Sequence, residues 1–107
     1  RVECRIPGAD ANSYFAFAGT IAGGLYGIRH KLKLEPQSVG NGYEATDVTR
    51  IPSTLSEAIE CWEKSDIARE CFGDEVHHHI LTMAKAEWAA FNQTVTDWEL
   101  TRYFERA

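Results

Sequence analysis

Arg1-Val2-Glu3-Cys4-Arg5-Ile6-Pro7-Gly8-Ala9-Asp10-Ala11-Asn12 opens the chain, and its reading decides how the rest is organised. As a β-strand it alternates: Val2, Cys4 and Ile6 point to one face, and Arg1, Glu3 and Arg5 to the other. The apolar face asks for a core. The charged face sets cation, anion and cation in a row, about 7 Å apart at strand rise. Such a face is either wet, with neighbours in partial ion pairs, or it lines a site. In the second case the carboxylate holds a metal and the guanidinium groups hold phosphate or carboxylate oxygens. Pattern alone favours the wet strand. Pro7-Gly8 stops the strand, Asp10 is a good helix N-cap, and a long apolar helix begins near Asn12.

The helix runs to about Leu34. Tyr14, Phe17, Ala18, Ile21, Leu25, Ile28 and Leu32 recur every three or four residues along it. Gly19, Gly23, Gly24 and Gly27 each weaken it by about 1 kcal/mol relative to Ala, and are read as places where another backbone comes close. Arg29, His30, Lys31 and Lys33 form a solvated C-terminal end that suits the helix dipole. Residues 35–53 form a long connection rich in turn formers.

Three further helices are expected. Thr54-Leu55-Ser56-Glu57 reads as a capping box for a helix to about Lys64, with Leu55, Ala58, Ile59 and Trp62 inward. Ser65-Asp66 caps a short helix ended by Gly73. Asp74 then caps a longer one to about Thr94, with Val76, Ile80, Met83, Ala84, Trp88 and Phe91 inward. Thr96-Asp97-Trp98-Glu99 is a second capping box, for a last helix carrying Trp98, Tyr103 and Phe104. His77-His78-His79 invites a metal reading, but successive helical residues diverge by about 100° and cannot converge on one ion. The three are read as an exposed helix face. Asp97 and Glu99 are read as helix-start carboxylates rather than a catalytic pair.

The 107 residues amount to one domain or less. A net charge of -5 argues against a nucleic-acid footprint. No apolar run approaches the roughly 20 residues that span a membrane. Cys4, Cys61 and Cys71 show neither CxxC spacing nor an even count, so the expected compartment is the cytoplasm.

The opening stretch resembles the signature near the C-terminus of the glutamine synthetase family: a strand of Arg-x-Glu-x-Arg, a Pro, a short turn and an Ala-Asn-Pro-Tyr-like helix start. Here these are Arg1-Val2-Glu3-Cys4-Arg5-Ile6-Pro7 and Ala11-Asn12-Ser13-Tyr14. Ser13 stands where the family usually has Pro, which is favoured at that position but not required. The likeness continues through Ala22-Gly23-Gly24-Leu25-Tyr26-Gly27-Ile28, Ile51-Pro52-Ser53-Thr54-Leu55-Ser56-Glu57-Ala58 and Val95-Thr96-Asp97-Trp98-Glu99, in the same order.

The resemblance implies an α+β parent domain of sheet plus helices, with residues 1–107 as its C-terminal segment, mostly α with one N-terminal strand. The chain begins without Met, on a strand that needs a partner, so a fragment of a chain about four times longer is expected. The resemblance further implies an ATP-dependent ligase, joining ammonia or an amine to the γ-carboxyl of glutamate through a γ-glutamyl phosphate. By position in the motif, Glu3 is the metal ligand for Mg2+ or Mn2+ and Arg1 lies near the ATP phosphates. Arg5 is the catalytic and substrate-binding residue, on the glutamate carboxylate and the transferring phosphoryl group. With the family in view, the site reading of the charged face overtakes the wet one.

The family's other metal carboxylates, its metal-binding histidine and its flap glutamate lie upstream, so this polypeptide alone is expected to be inactive. The wording of the Gly23–Ile28, Gly40–Glu44 and Trp98–Phe104 runs leans toward γ-glutamyl-polyamine or γ-glutamyl-ethanolamine ligases. Tyr43 falls where some bacterial members are adenylylated, but Gly42 and Glu44-Ala45-Thr46 depart from that pattern. Bacterial members assemble as double-ring dodecamers in which the last helix reaches a facing subunit. Trp98, Tyr103 and Phe104 either do this here or pack on their own subunit. The alternative function is a non-catalytic helical interaction module on the same scaffold.

Overall fold

The computed structural model describes residues 3–37, 39–42, 44–46 and 48–106. It contains α1 (Ser13–Arg29), α2 (Leu55–Glu63), α3 (Asp66–Asn92) and α4 (Asp97–Tyr103). Among the described residues there is no β-strand, and Glu3–Ile6 carry no regular structure. The expected N-terminal strand is therefore not seen. A strand exists only by pairing its backbone with a neighbour, and no partner strand is present among the described residues.

Each helix start follows from a side-chain cap. Asn12, rather than the expected Asp10, caps α1: its Oδ1 accepts from the N–H groups of Tyr14 at 3.0 Å and Phe15 at 3.3 Å. Thr54 caps α2 through Glu57 N–H, but Glu57 turns its carboxylate to the Ser53 N–H (2.7 Å) and hydroxyl (2.9 Å). Only half of the expected capping box forms there. Ser65 caps α3 through Ala68 N–H. At α4 the box is complete: Thr96 Oγ1 accepts from Glu99 N–H, and Glu99 Oε2 accepts from Thr96 N–H at 2.8 Å.

The ends are as specific. α1 stops at Arg29, a turn before the expected Leu34. Lys31 takes a positive φ of 50°, Lys31 N–H donates to Ile28 O, and Leu32 N–H donates to Gly27 O. This is a Schellman closure with lysine where glycine is usual, which explains why the sequence hid it. At Gly73 the backbone takes φ 78° and ψ 160°, a conformation open essentially to glycine alone. The short helix and the long helix expected on either side of Gly73 are thus both present, meeting at a kink at that residue within the span of α3.

The packed part of the molecule is the hairpin of α2 on α3. Ile59, Ala68 and Leu81 are its buried apolar residues. Between them lies His77, 1% exposed and stacked on Trp62 with centroids 5.3 Å apart and planes 9° apart. His77 Nε2–H donates to Trp62 O at 2.7 Å, and Trp62 Nε1–H donates to His77 O at 3.0 Å. The exchange satisfies both buried polar groups. His78 and His79 are exposed as expected, but His77 is not. The buried line of α3 runs through His77 and Leu81; of the residues expected inward, Ile80, Ala84 and Trp88 are half-buried, while Val76, Met83 and Phe91 are exposed. Periodicity in apolar residues could not see a histidine whose polarity is met by a neighbouring helix. At the hairpin's rim, Lys85 Nζ meets Glu63 Oε1 at 2.6 Å and Arg69 Nη2–H donates to Glu63 O.

α1 lies against α3 through two polar contacts. His30 Nε2–H donates to Glu70 Oε1 at 2.7 Å, with the Tyr26 ring stacked on the imidazole at 4.1 Å. Cys71 Sγ–H reaches Ala22 O at 3.8 Å. His30 is therefore engaged rather than merely solvated. α1 buries none of its residues, and Tyr14, Phe17, Ile21 and Ile28 stay exposed. A Cβ added at Gly19, Gly23, Gly24 or Gly27 would meet nothing within 4 Å, so the close backbone expected there is not supplied by the described residues. α4 packs on no other helix among the described residues. Trp98 and Tyr103 meet edge to face at 6.2 Å, and Phe104 stays exposed. The radius of gyration, 18.0 Å, exceeds the roughly 13 Å of a compact chain of this length.

Candidate functional site

The site rests on the segment that leads into α1. From Glu3 to Ile6 the chain is irregular; Ala11 N–H then closes a turn on Gly8 O at 3.2 Å, and Asn12 begins the helix. Turn and cap follow each other directly, so residues 8–12 lead from the segment into α1.

Glu3 and Arg5 fall two residues apart and meet: Arg5 Nε–H donates to Glu3 Oε1 at 2.8 Å. Their side chains are 63% and 78% exposed. An exposed pair of this kind contributes about 0–1 kcal/mol. Either partner can therefore be recruited by an incoming ligand at little cost. Glu3 and Arg5 were expected on one face of a strand; here they meet in an irregular segment, as an exposed ion pair between near neighbours. Arg1 and Tyr43 lie outside the described residues.

The donor types suit the chemistry expected of them. A carboxylate oxygen is a ligand for a hard divalent cation, and a guanidinium is a planar donor for carboxylate or phosphoryl oxygens. Among the described residues no three His, Cys, Asp or Glu side chains converge as a metal cage. Glu3 by itself offers a single carboxylate, too few donors for such a cation.

Elsewhere the carboxylates do structural work. The Ser53 backbone N–H, and then its hydroxyl, hold the Glu57 carboxyl below the usual range. The hydrogen bond from Lys85, and then its charge, do the same for Glu63. An open depression is lined by Ala45, Val48, Arg50, Ile51, Glu57 and Cys61, but by neither Glu3 nor Arg5. Asp97 and Glu99 lie in the first turn of α4, as expected of helix-start carboxylates. Sequence reasoning missed the His77–Trp62 exchange and the His30–Glu70 link; only the spacing of Trp62 and His77, on elements that become neighbours, could have hinted at the first. Among the described residues no helix is long and apolar enough to cross a membrane.

Comparison with known proteins adds what the geometry cannot. The chain is 51% identical over 106 residues to a gamma-glutamylethanolamide synthetase of Streptomyces coelicolor, covering 99% of this chain and 23% of that protein. It is 39% identical to a glutamate–isopropylamine ligase of a Pseudomonas species, over 98% of this chain and 23% of that protein. It is 36% identical to a glutamine synthetase of Thermus thermophilus, over 96% of this chain and 25% of that protein. The chain thus spans about a quarter of the length of the curated relatives it matches. The model of the glutamine synthetase catalytic domain matches residues 1–103, and on that match the chain belongs to the glutamine synthetase family.

Proposed function

We propose that this chain is the C-terminal segment of the catalytic domain of an ATP-dependent ligase that joins an amine to the γ-carboxyl of glutamate. The observation that carries the reading is the exposed Glu3–Arg5 pair, standing at the positions of the family's Arg-x-Glu-x-Arg signature in a chain whose residues 1–103 match the family model. In this reading the glutamate γ-carboxylate attacks the γ-phosphorus of ATP and releases ADP. The amine nitrogen then attacks the acyl carbon of the γ-glutamyl phosphate, and inorganic phosphate leaves.

Arg5 holds the substrate carboxylate and the phosphoryl oxygens, where a fixed guanidinium meets charge that grows in the transition state. Arg1 holds the ATP phosphates. Glu3 supplies one oxygen ligand for Mg2+ or Mn2+, which when bound neutralises phosphate charge. The amine is a small alkyl- or alkanolamine such as ethanolamine; the names of two relatives, an ethanolamide synthetase and an isopropylamine ligase, support this. The whole protein is a cytoplasmic homo-oligomer of two facing rings, with the aromatic face of α4 on a facing subunit. Exposure of Trp98, Tyr103 and Phe104 supports that docking.

A second reading, a non-catalytic interaction module, draws support from the same exposed faces of α1 and α4. Phosphate release by the full-length protein separates the two. With ATP, magnesium, glutamate and a panel of ammonia, ethanolamine, putrescine and spermidine, release should depend on one amine and be lost in Glu3→Ala and Arg5→Ala. No release with any amine would favour the interaction module. The 107-residue chain alone should not turn over ATP.

A further inference from the structure

We draw no further inference here: the strongest candidate, the cleft between α1 and the α2–α3 hairpin onto which Cys61 and Cys71 both open, carries nothing, because the Ser65 hydroxyl in it caps α3, the Trp62 N–H is spent on the His77 carbonyl, and nothing in the structure shows what occupies it.

Discussion

His77 and Trp62 each donate a ring N–H to the other's backbone carbonyl, at 2.7 and 3.0 Å, while their rings lie nearly parallel. Two helices are thus joined by a reciprocal pair of side-chain-to-backbone hydrogen bonds. His77→Ala removes both the ring and its hydrogen bond and should cost about 2–4 kcal/mol. His77→Phe keeps an aromatic face but leaves one acceptor of the Trp62 carbonyl unmet, and should cost about 1–2 kcal/mol. Urea unfolding followed by circular dichroism gives the order. Equal losses in the two variants would mean that the hydrogen bond, not the stack, holds the hairpin.

Gly73→Ala tests the break in α3. There is room for the added Cβ, so any cost comes from the backbone at φ 78°. That cost should be about 1–3 kcal/mol, read as a lower urea midpoint with the helical signal of the native state retained. An unchanged midpoint would show that the break is optional.

The Glu63–Lys85 contact carries a pH dependence. Lys85 lowers the Glu63 pKa from 4.5, so the folded value lies below the unfolded one. The stabilisation is fully present above about pH 4.5 and is lost as the pH falls through the folded value. Glu63→Gln should remove that part of the acid limb and leave a flatter profile. The pair is exposed, so the effect is small and should fade in high salt. Unfolding midpoints at pH 7 and pH 3, at two salt concentrations, check both points.

Thr96→Ala deletes a complete capping box and should cost about 1 kcal/mol, confined to α4. Amide exchange should quicken over residues 97–103 and stay unchanged over 55–92, since α4 packs on no other helix among the described residues. Faster exchange in α3 would reveal a coupling between the two.

Arg5 should separate charge from shape. In the full-length protein Arg5→Ala should lower amine-dependent phosphate release by about 10²–10³-fold. Arg5→Lys keeps the charge but loses the planar fork, so it should restore only part of that loss. Full recovery with lysine would make Arg5 a point charge rather than a two-pronged clamp.

How much was legible depended on the range of the interaction. Caps are local, so Thr54, Ser65 and Thr96 announced their helices, and Gly73 its break. The Lys31 closure is also local, but it uses a residue that gives no signal. The inward side of α3 was read in part: Ile80, Ala84 and Trp88 are half-buried, but His77 was missed because its burial depends on Trp62, which only the folded hairpin brings near. The strand is not seen among the described residues because alternation states a preference, whereas pairing needs a partner. Of the candidate site, the ion pair between Glu3 and Arg5 was readable from their spacing as near neighbours. Among the described residues no cluster of three His, Cys, Asp or Glu side chains accompanies Glu3, so spacing alone could carry the site no further.

The bare apolar side of α1 sets an order of events. The α2–α3 hairpin closes through residues near in sequence and can form early. α1 buries no residue, so its tyrosine, phenylalanine and isoleucine side chains gain little until another surface arrives. The segment bearing Glu3 and Arg5 leads straight into α1, and would come to rest with it. The charged pair therefore inherits its placement from a helix whose apolar side is uncovered among the described residues.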